Sequence, residues 1–280
     1  MRIYISSDME GATGVAVRNH VDPSSNEYVR FRRLMTGDVN AAIDGAFAGG
    51  ATEVLVNDGH GPMTNILIEE LDGRAHLISG DNKQLCQMEG IDRGFDGAFL
   101  VAYHSREGGG DGTLNHSFMS RYVEELRVNG RALGESGVNA GLAAAFGVPV
   151  LLVTGDDKVG AEARECIPGV QTVTVKTSVN RHVSDVYPPK KTAELIREAA
   201  RQAVERLKNE RPKVTLADLG FKPPFTFEVD FKVSGAVATA TLFPTVKRIG
   251  PKSVAITSDD FVEGFKQFWG ALLLGGRGSE

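Results

Sequence analysis

Two carboxylates stand one residue apart near the start of the chain. Asp8 and Glu10 lie where the apolar run RIYISS gives way to DMEGATG. In extended backbone, residues two apart project to the same side, so both carboxylates can face one point. A second apolar run ends in VNDGHG and brings His60. A third ends in VAYHS and brings His104, and a glycine-flanked GESG carries Glu135 just before a helical stretch. Asp8, Glu10, His60, His104 and Glu135 together offer three carboxylates and two imidazoles. That set suits zinc or another divalent transition metal, and its carboxylate excess suits two ions sharing one bridging carboxylate. Two such ions roughly 3.5–4 Å apart share a water and lower its pKa toward about 7. Without a cation, three convergent carboxylates repel and at least one pKa must rise.

His116 is a sixth candidate. It follows the glycine-rich stretch 108–112, GGGDG, which has the freedom to cover a bound substrate. A histidine behind such a cover is placed to act as a general acid or base, or to donate to an oxyanion. The glycine run is not a phosphate loop, because no Gly-Lys-Ser/Thr follows it.

Taken singly, each residue has an ordinary role open to it. Asp8 can cap a turn, Glu10 can be solvated, His60 can sit in a turn, and His104 can be a satisfied core histidine. Glu135 can be a helix-start carboxylate favoured by the macrodipole. What sets the five apart is that all fall at ends the topology brings together. His20, His76 and His182 are assigned surface or structural roles. Asp156 and Asp157 read as a helix cap and Cys86 and Cys166 as small core residues; Arg181 could bind a substrate carboxylate but reads first as a surface arginine.

The elements that must hold these residues alternate along the chain. Strand-like runs are expected at 2–7, 52–57, 76–79, 97–103, 149–154 and 170–175, and helical spacing at 27–48, 64–71, 138–146 and 158–166. Apolar strands separated by helices predict a mainly parallel sheet covered on both faces, with ligands gathering beyond the carboxyl ends of its strands. Asn129-Gly130 between strand-like flanks predicts an inserted hairpin. After Tyr187-Pro188-Pro189 the pattern changes. A long amphipathic helix at 190–209 is expected to bury Leu195, Ala199, Val204 and Leu207. Strand-like runs at 225–233 and 236–243, a strand at 253–256 and a helix at 259–274 follow. The fold class is α/β, a mainly parallel sheet flanked by helices, with an inserted hairpin and a smaller C-terminal α+β unit. The expected division is a metal-binding catalytic domain at 1–188 and a smaller domain at 189–280.

Composition narrows the partners. The 280 residues carry a net charge of −5 with no basic cluster, which argues against nucleic acid. No apolar run reaches the roughly 18 residues that a membrane span needs. Two cysteines far apart, and a first stretch that reads as a strand and not as a signal segment, fit a cytoplasmic protein.

The blocks SSDMEGATG, EVLVNDGHGPM, HLISGD, VAYHS, NHSF, GESGVNAGLAAAFGVPVLLVTGDD and VKTSVNR give the chain a wider likeness. It resembles the bacterial zinc-dependent D-aminopeptidases encoded with dipeptide-transport operons, strongly over the first two-thirds and loosely beyond. The resemblance implies two zinc ions per subunit on Asp8, Glu10, His60, His104 and Glu135, with His116 as the catalytic histidine. In that scheme Asp8 bridges, Glu10 and His60 complete one ion, and His104 and Glu135 hold the other. It further implies hydrolysis of the N-terminal residue from short D-amino-acid peptides of the D-Ala-D-Ala type, and a ring-shaped homo-oligomer, a decamer by family likeness. Two alternatives stand beside it. One is a two-metal phosphoesterase, against which no Arg or Lys stands beside the ligand blocks to hold phosphate. The other is a non-catalytic, metal-stabilised peptide-binding oligomer.

Overall fold

The computed structural model describes residues 1–279. The first half of the chain runs β1 (Arg2–Ser7), α1 (Tyr28–Gly49), β2 (Glu53–Asp58), β3 (Ala75–Ile78), β4 (Gly97–Tyr103), β5 (Val123–Val128), β6 (Arg131–Ala132) and α2 (Glu135–Ala145). It continues through β7 (Val150–Asp156), α3 (Asp157–Cys166), β8 (Gln171–Asn180), β9 (Val183–Val186) and α4 (Pro189–Asn209). The last elements are β10 (Phe225–Phe231), α5 (Ser234–Ala240), β11 (Lys247–Arg248), β12 (Ser253–Ser258) and α6 (Phe261–Arg277).

Seven strands form one sheet in the order β3-β2-β1-β4-β7-β8-β9, parallel except for β9, which runs against β8. Its central strands are buried at nearly every position because both faces are covered. On one face Ile3, Ile5, Val56, Phe99 and Val101 pack against Met35, Val39 and Ala46 of α1 and Ile196, Ala200 and Val204 of α4. On the other face Tyr4, Leu100 and Val153 pack with Val138 and Leu142 of α2 and Val159 of α3.

That second core runs on into a five-stranded antiparallel sheet, ordered β11-β12-β10-β5-β6. The expected hairpin is its edge: Asn129 and Gly130 have φ of 49° and 77°, the left-handed pair that a tight two-residue turn requires. Alternate residues of β10, Phe225, Phe227, Val229 and Phe231, point inward onto Phe261, Phe265 and Phe268 of α6. The fold class is the one the sequence predicts, and no helix among the described residues is long and apolar enough to cross a membrane.

Four expectations are corrected or refined. Residues 64–71 form turns and no helix, because the Asp58 carboxylate takes the backbone N–H groups of Asn65 and Ile66 at 2.5 and 2.7 Å. The run at 236–243 is mostly α5 and not a strand; its small residues let it lie so close to the end of α6 that a Cβ at Gly235 would stand 2.3 Å from Gly278 O. Leu195 faces solvent, while Ile196, Ala200 and Ala203 take the core positions of α4. The composition change at 188–189 marks the start of α4, but the two sheets interleave in the chain. Helix α4 lies on α1 under the first sheet, and β5 pairs with β10 in the second.

Candidate metal centre

The register of the parallel strands places the candidate residues. Ser7 of β1 pairs with Asp58 of β2 and with Val101 of β4, so β1 and β2 end at one level and β4 runs two residues further. Asp8 continues β1 and donates its N–H to Val101 O at 2.9 Å. His60 lies two residues beyond β2, and His104 directly follows β4. Glu135 is the first residue of α2, and the segment before it returns from the second sheet.

The loop after β1 then turns back sharply. Gly11 donates to Ala102 O at 2.8 Å, and a Cβ there would stand 1.9 Å from Tyr103 O, so only glycine fits. Lys176 of β8 is wholly buried, and its ammonium donates to the carbonyls of Glu10, Ala12 and Val15 at 2.5, 3.0 and 2.7 Å. Burial pushes Lys176 down to about 8, against the pull of Asp156, Asp38 and Glu10.

All six predicted site residues meet. His60 Nδ1 is 3.3 Å from Asp8 Oδ1 and 3.0 Å from Glu10 Oε2. His104 Nε2 is 3.2 Å from Asp8 Oδ2 and 3.3 Å from Glu135 Oε1. His116 stacks on His104 with ring centres 4.1 Å apart, and its Nε2 is 3.8 Å from Glu135 Oε1. Asp8, Glu10, His104, His116 and Glu135 are each exposed by 9% or less, so water does little to separate their charges.

The three imidazoles share one arrangement. His60 Nε2 donates to Val21 O at 3.0 Å, His104 Nδ1 to Ser105 O at 3.0 Å and His116 Nδ1 to Leu114 O at 2.9 Å. Those bonds assign the tautomers. Each ring's remaining nitrogen is thereby turned toward the carboxylates. The fit to a cation follows from what is left over: Asp8 Oδ2, Glu10 Oε2 and His104 Nε2 are buried and accept no aligned hydrogen bond. Buried polar atoms are ordinarily satisfied, and a divalent ion satisfies several at once. Ligand atoms of Asp8, Glu10 and His104 lie within 4.8 Å of one another, as do those of His104, His116 and Glu135.

The expected rise of a crowded carboxyl is not seen at Asp8 or Glu10, because the neighbouring histidines offset both burial and carboxylate repulsion. Burial alone would raise Asp8, but His104 and His60 hold its carboxyl well below the usual range. Burial alone would lower His60 and His104. Glu10 with Asp8, and Glu135 with Asp8, raise them well above the ordinary imidazole value instead.

Several supporting residues are not among the candidates read from the sequence. Gln87 donates through Nε2 to Glu135 Oε2, and the Phe118 N–H donates to Glu135 Oε1 at 2.5 Å. Asn139, one turn along α2 from Glu135, holds Gln87 Oε1 at 2.6 Å. Phe118, Asn139 and Lys176 fall inside the quoted blocks NHSF, GESGVNAGLAAAFGVPVLLVTGDD and VKTSVNR, which mark the segments but not these roles, while Gln87 falls in none. The site opens into a cavity of about 280 Å³ whose lining also includes Arg18, Asp22, Phe118, Arg181 and His182. Arg181 and His182 are thus at the site, and not the plain surface residues expected. The absence of cations near the ligand blocks does not hold either. Asp156 caps α3 as expected, accepting from Lys158 and Val159, and both cysteines are free and buried.

The sequence profile of the D-aminopeptidase family matches residues 1–269. This chain belongs to the D-aminopeptidase family. It is 36% identical over 267 residues to a D-aminopeptidase of Bacillus subtilis (strain 168), covering 95% of this chain and 94% of that protein. Among solved structures it is similar to the Zn-dependent D-aminopeptidase DppA from Bacillus subtilis, described as a self-compartmentalizing protease. The TM-score is 0.91 at 35% identity, over 99% of this chain and 98% of the other. The likeness to that structure thus extends over nearly the whole of both chains.

Proposed function

We propose that this chain removes the N-terminal residue from short D-amino-acid peptides, D-Ala-D-Ala being the first candidate, using two zinc ions held by Asp8, Glu10, His60, His104 and Glu135. It is a zinc-dependent D-aminopeptidase, a metallopeptidase of the hydrolase class. The observation that carries the ligand assignment is the set of buried, unsatisfied atoms on Asp8, Glu10 and His104 within a cluster of aimed imidazoles. Asp8 offers one oxygen toward His60 and the other toward His104, which suits the bridging position.

Zinc bound there supplies Lewis-acid polarisation of the scissile carbonyl and acidifies an attacking water. His116 acts from the side of Glu135. With its Nδ1 proton committed to Leu114 O, its Nε2 faces the cluster and is free to take up a proton and return it to the leaving amine. Glu135 cannot swing away, because Gln87 and the Phe118 N–H hold both its oxygens. Phe118 and Leu114 give the cavity apolar wall.

In this proposal the enzyme works in the cytoplasm, where its two free cysteines stay reduced. It assembles as a homo-oligomeric ring of about ten subunits, a proposal that rests on family likeness and on the self-compartmentalizing description of DppA. Family membership favours peptide over phosphoester hydrolysis.

The decisive experiment strips the protein with chelator, restores zinc, and follows free alanine from D-Ala-D-Ala and L-Ala-L-Ala. Release from the D-peptide only, and only with zinc, is expected. Binding of the D-peptide without release under any metal would instead indicate a binding protein.

A further inference from the structure

We propose that Arg181, assisted by Arg18, binds the free C-terminal carboxylate of the substrate, so that the enzyme selects short peptides whose two charged ends share one cavity. This rests on the aminopeptidase reading and adds a substrate class to it: D-peptides with an unblocked C-terminus.

The cavity carries both signs of charge, and Asp22 also lines it beside Arg18. One part of its wall is acidic, with Asp8, Glu10 and Glu135, and the same wall also carries Arg18, Arg181 and His182. A short peptide is a zwitterion, positive at the end to be cleaved and negative at the other. The cavity, at about 280 Å³, lies at the small end of ligand pockets. A substrate that fills it therefore keeps its C-terminus within reach of its walls.

Arg181 is built to wait for such a group. It occupies the turn between β8 and β9, where its carbonyl accepts from Leu114 N at 2.9 Å and the next N–H, of His182, donates to Asn180 Oδ1 at 2.9 Å. The backbone is therefore fixed beside the segment that carries His116. The guanidinium uses only Nη1, which lies 3.3 and 3.2 Å from the two Glu107 oxygens. Its Nε and Nη2 have no hydrogen-bond partner among the described residues. Arg18 is freer still: its one charged neighbour is Asp22, 3.8 Å from Nε. A planar guanidinium with parallel N–H groups to spare matches a carboxylate in two-point contact.

The test measures kcat/KM of the zinc-loaded enzyme on D-Ala-D-Ala and on D-Ala-D-Ala-amide. The wild-type enzyme is expected to favour the free acid about tenfold or more, mainly through KM. In Arg181→Met that preference should fall to within about threefold of unity, and Arg181→Lys should retain part of it. Glu107→Gln controls for structure, since it removes the internal partner of Arg181 and leaves the guanidinium. Retained preference in Glu107→Gln supports recognition by Arg181. Collapse of the preference in Glu107→Gln would show that the Arg181–Glu107 bridge merely holds the 106–112 loop, and would overturn the proposal. Equal wild-type use of acid and amide would overturn it as well. Calorimetric titration of both peptides into His116→Ala protein reads the same preference without turnover. Preference in binding with no hydrolysis by wild type sinks the peptidase reading alone; hydrolysis without preference sinks this one alone.

Discussion

At the scale of single residues, the centre is defined by which ring nitrogen each imidazole commits to the backbone. Each imidazole has spent one N–H on a backbone carbonyl, so the nitrogen facing the carboxylates is the one left for a cation. His60→Ala or His104→Ala should therefore lose zinc as well as turnover; full zinc loading of either variant by elemental analysis would remove it from the ligand set. His116 stands further off, at 3.8 Å from Glu135 Oε1. His116→Ala should keep its zinc and lose about 10²–10⁴-fold in kcat, the usual contribution of one positioned acid–base group. Zinc loss in that variant would move His116 into the ligand set with His104 and Glu135. Among the proposed ligands the Gln87 side chain bonds Glu135 alone, with Asn139 holding its other end, so its effect should be on affinity: Gln87→Ala should weaken zinc binding about 10–100-fold in a chelator competition. An unchanged zinc affinity would mean that the Phe118 N–H alone fixes Glu135.

At the scale of elements, the site exists because strands of one sheet end side by side and a loop is tied back over their ends. Lys176 is the tie. Replacing it with Met leaves the carbonyls of residues 10, 12 and 15 without their donor, a cost partly offset because an ammonium need no longer be buried. A net loss of about 3 kcal/mol is expected in chemical denaturation, with lowered zinc occupancy. Unchanged stability would show that the loop stands on its Gly11 contact alone. These ties also explain what could be read from the sequence. Asp8, Glu10, His60 and His104 were legible because strand ends announce themselves through apolar runs and a parallel sheet gathers those ends, and Glu135 because its glycine-flanked carboxylate opens a helix. Gln87 and Arg18 were not, because each sits in a single 3-10 turn too short to leave a periodic pattern. The helix expected at 64–71 failed because the Asp58 carboxylate outbid the helical ladder for the N–H groups of Asn65 and Ile66. Residues 236–243 misled because Ala, Val and Thr read equally well as strand, and packing against α6 decided the matter.

At the scale of the whole molecule, a buried carboxylate couples the ligand loop to the helical layer and should make stability depend on pH. Asp38 of α1 accepts from Thr13 N at 2.8 Å and from Thr13 Oγ1 at 2.7 Å, and Thr13 Oγ1 is 2.8 Å from Thr192 Oγ1 of α4. Burial raises the Asp38 carboxyl from 3.8 to about 6, against the Thr13 hydrogen bonds and the nearby Lys176. Protonated Asp38 completes the chain of bonds. It donates to Thr13 Oγ1, which donates to Thr192 Oγ1, which donates to Pro189 O at 3.0 Å. Between the unfolded value of 3.8 and the folded value of about 6, the native state binds the extra proton. The contribution of Asp38 is therefore fully present below about pH 4 and is lost as pH rises through 6. A shift of this size amounts to about 3 kcal/mol. Asp38→Asn places an amide donor where the proton would be, and should hold that stability at every pH. Urea unfolding of both proteins in chelator, from pH 4 to 7.5, removes zinc from the comparison and cancels the groups they share. The Asn variant should match the wild type near pH 4 and exceed it progressively up to about pH 6.5, then by a constant margin. A difference that is flat across the range would mean that Asp38 stays ionised in the fold, and that the Thr13–Thr192 link is held by the charged carboxylate.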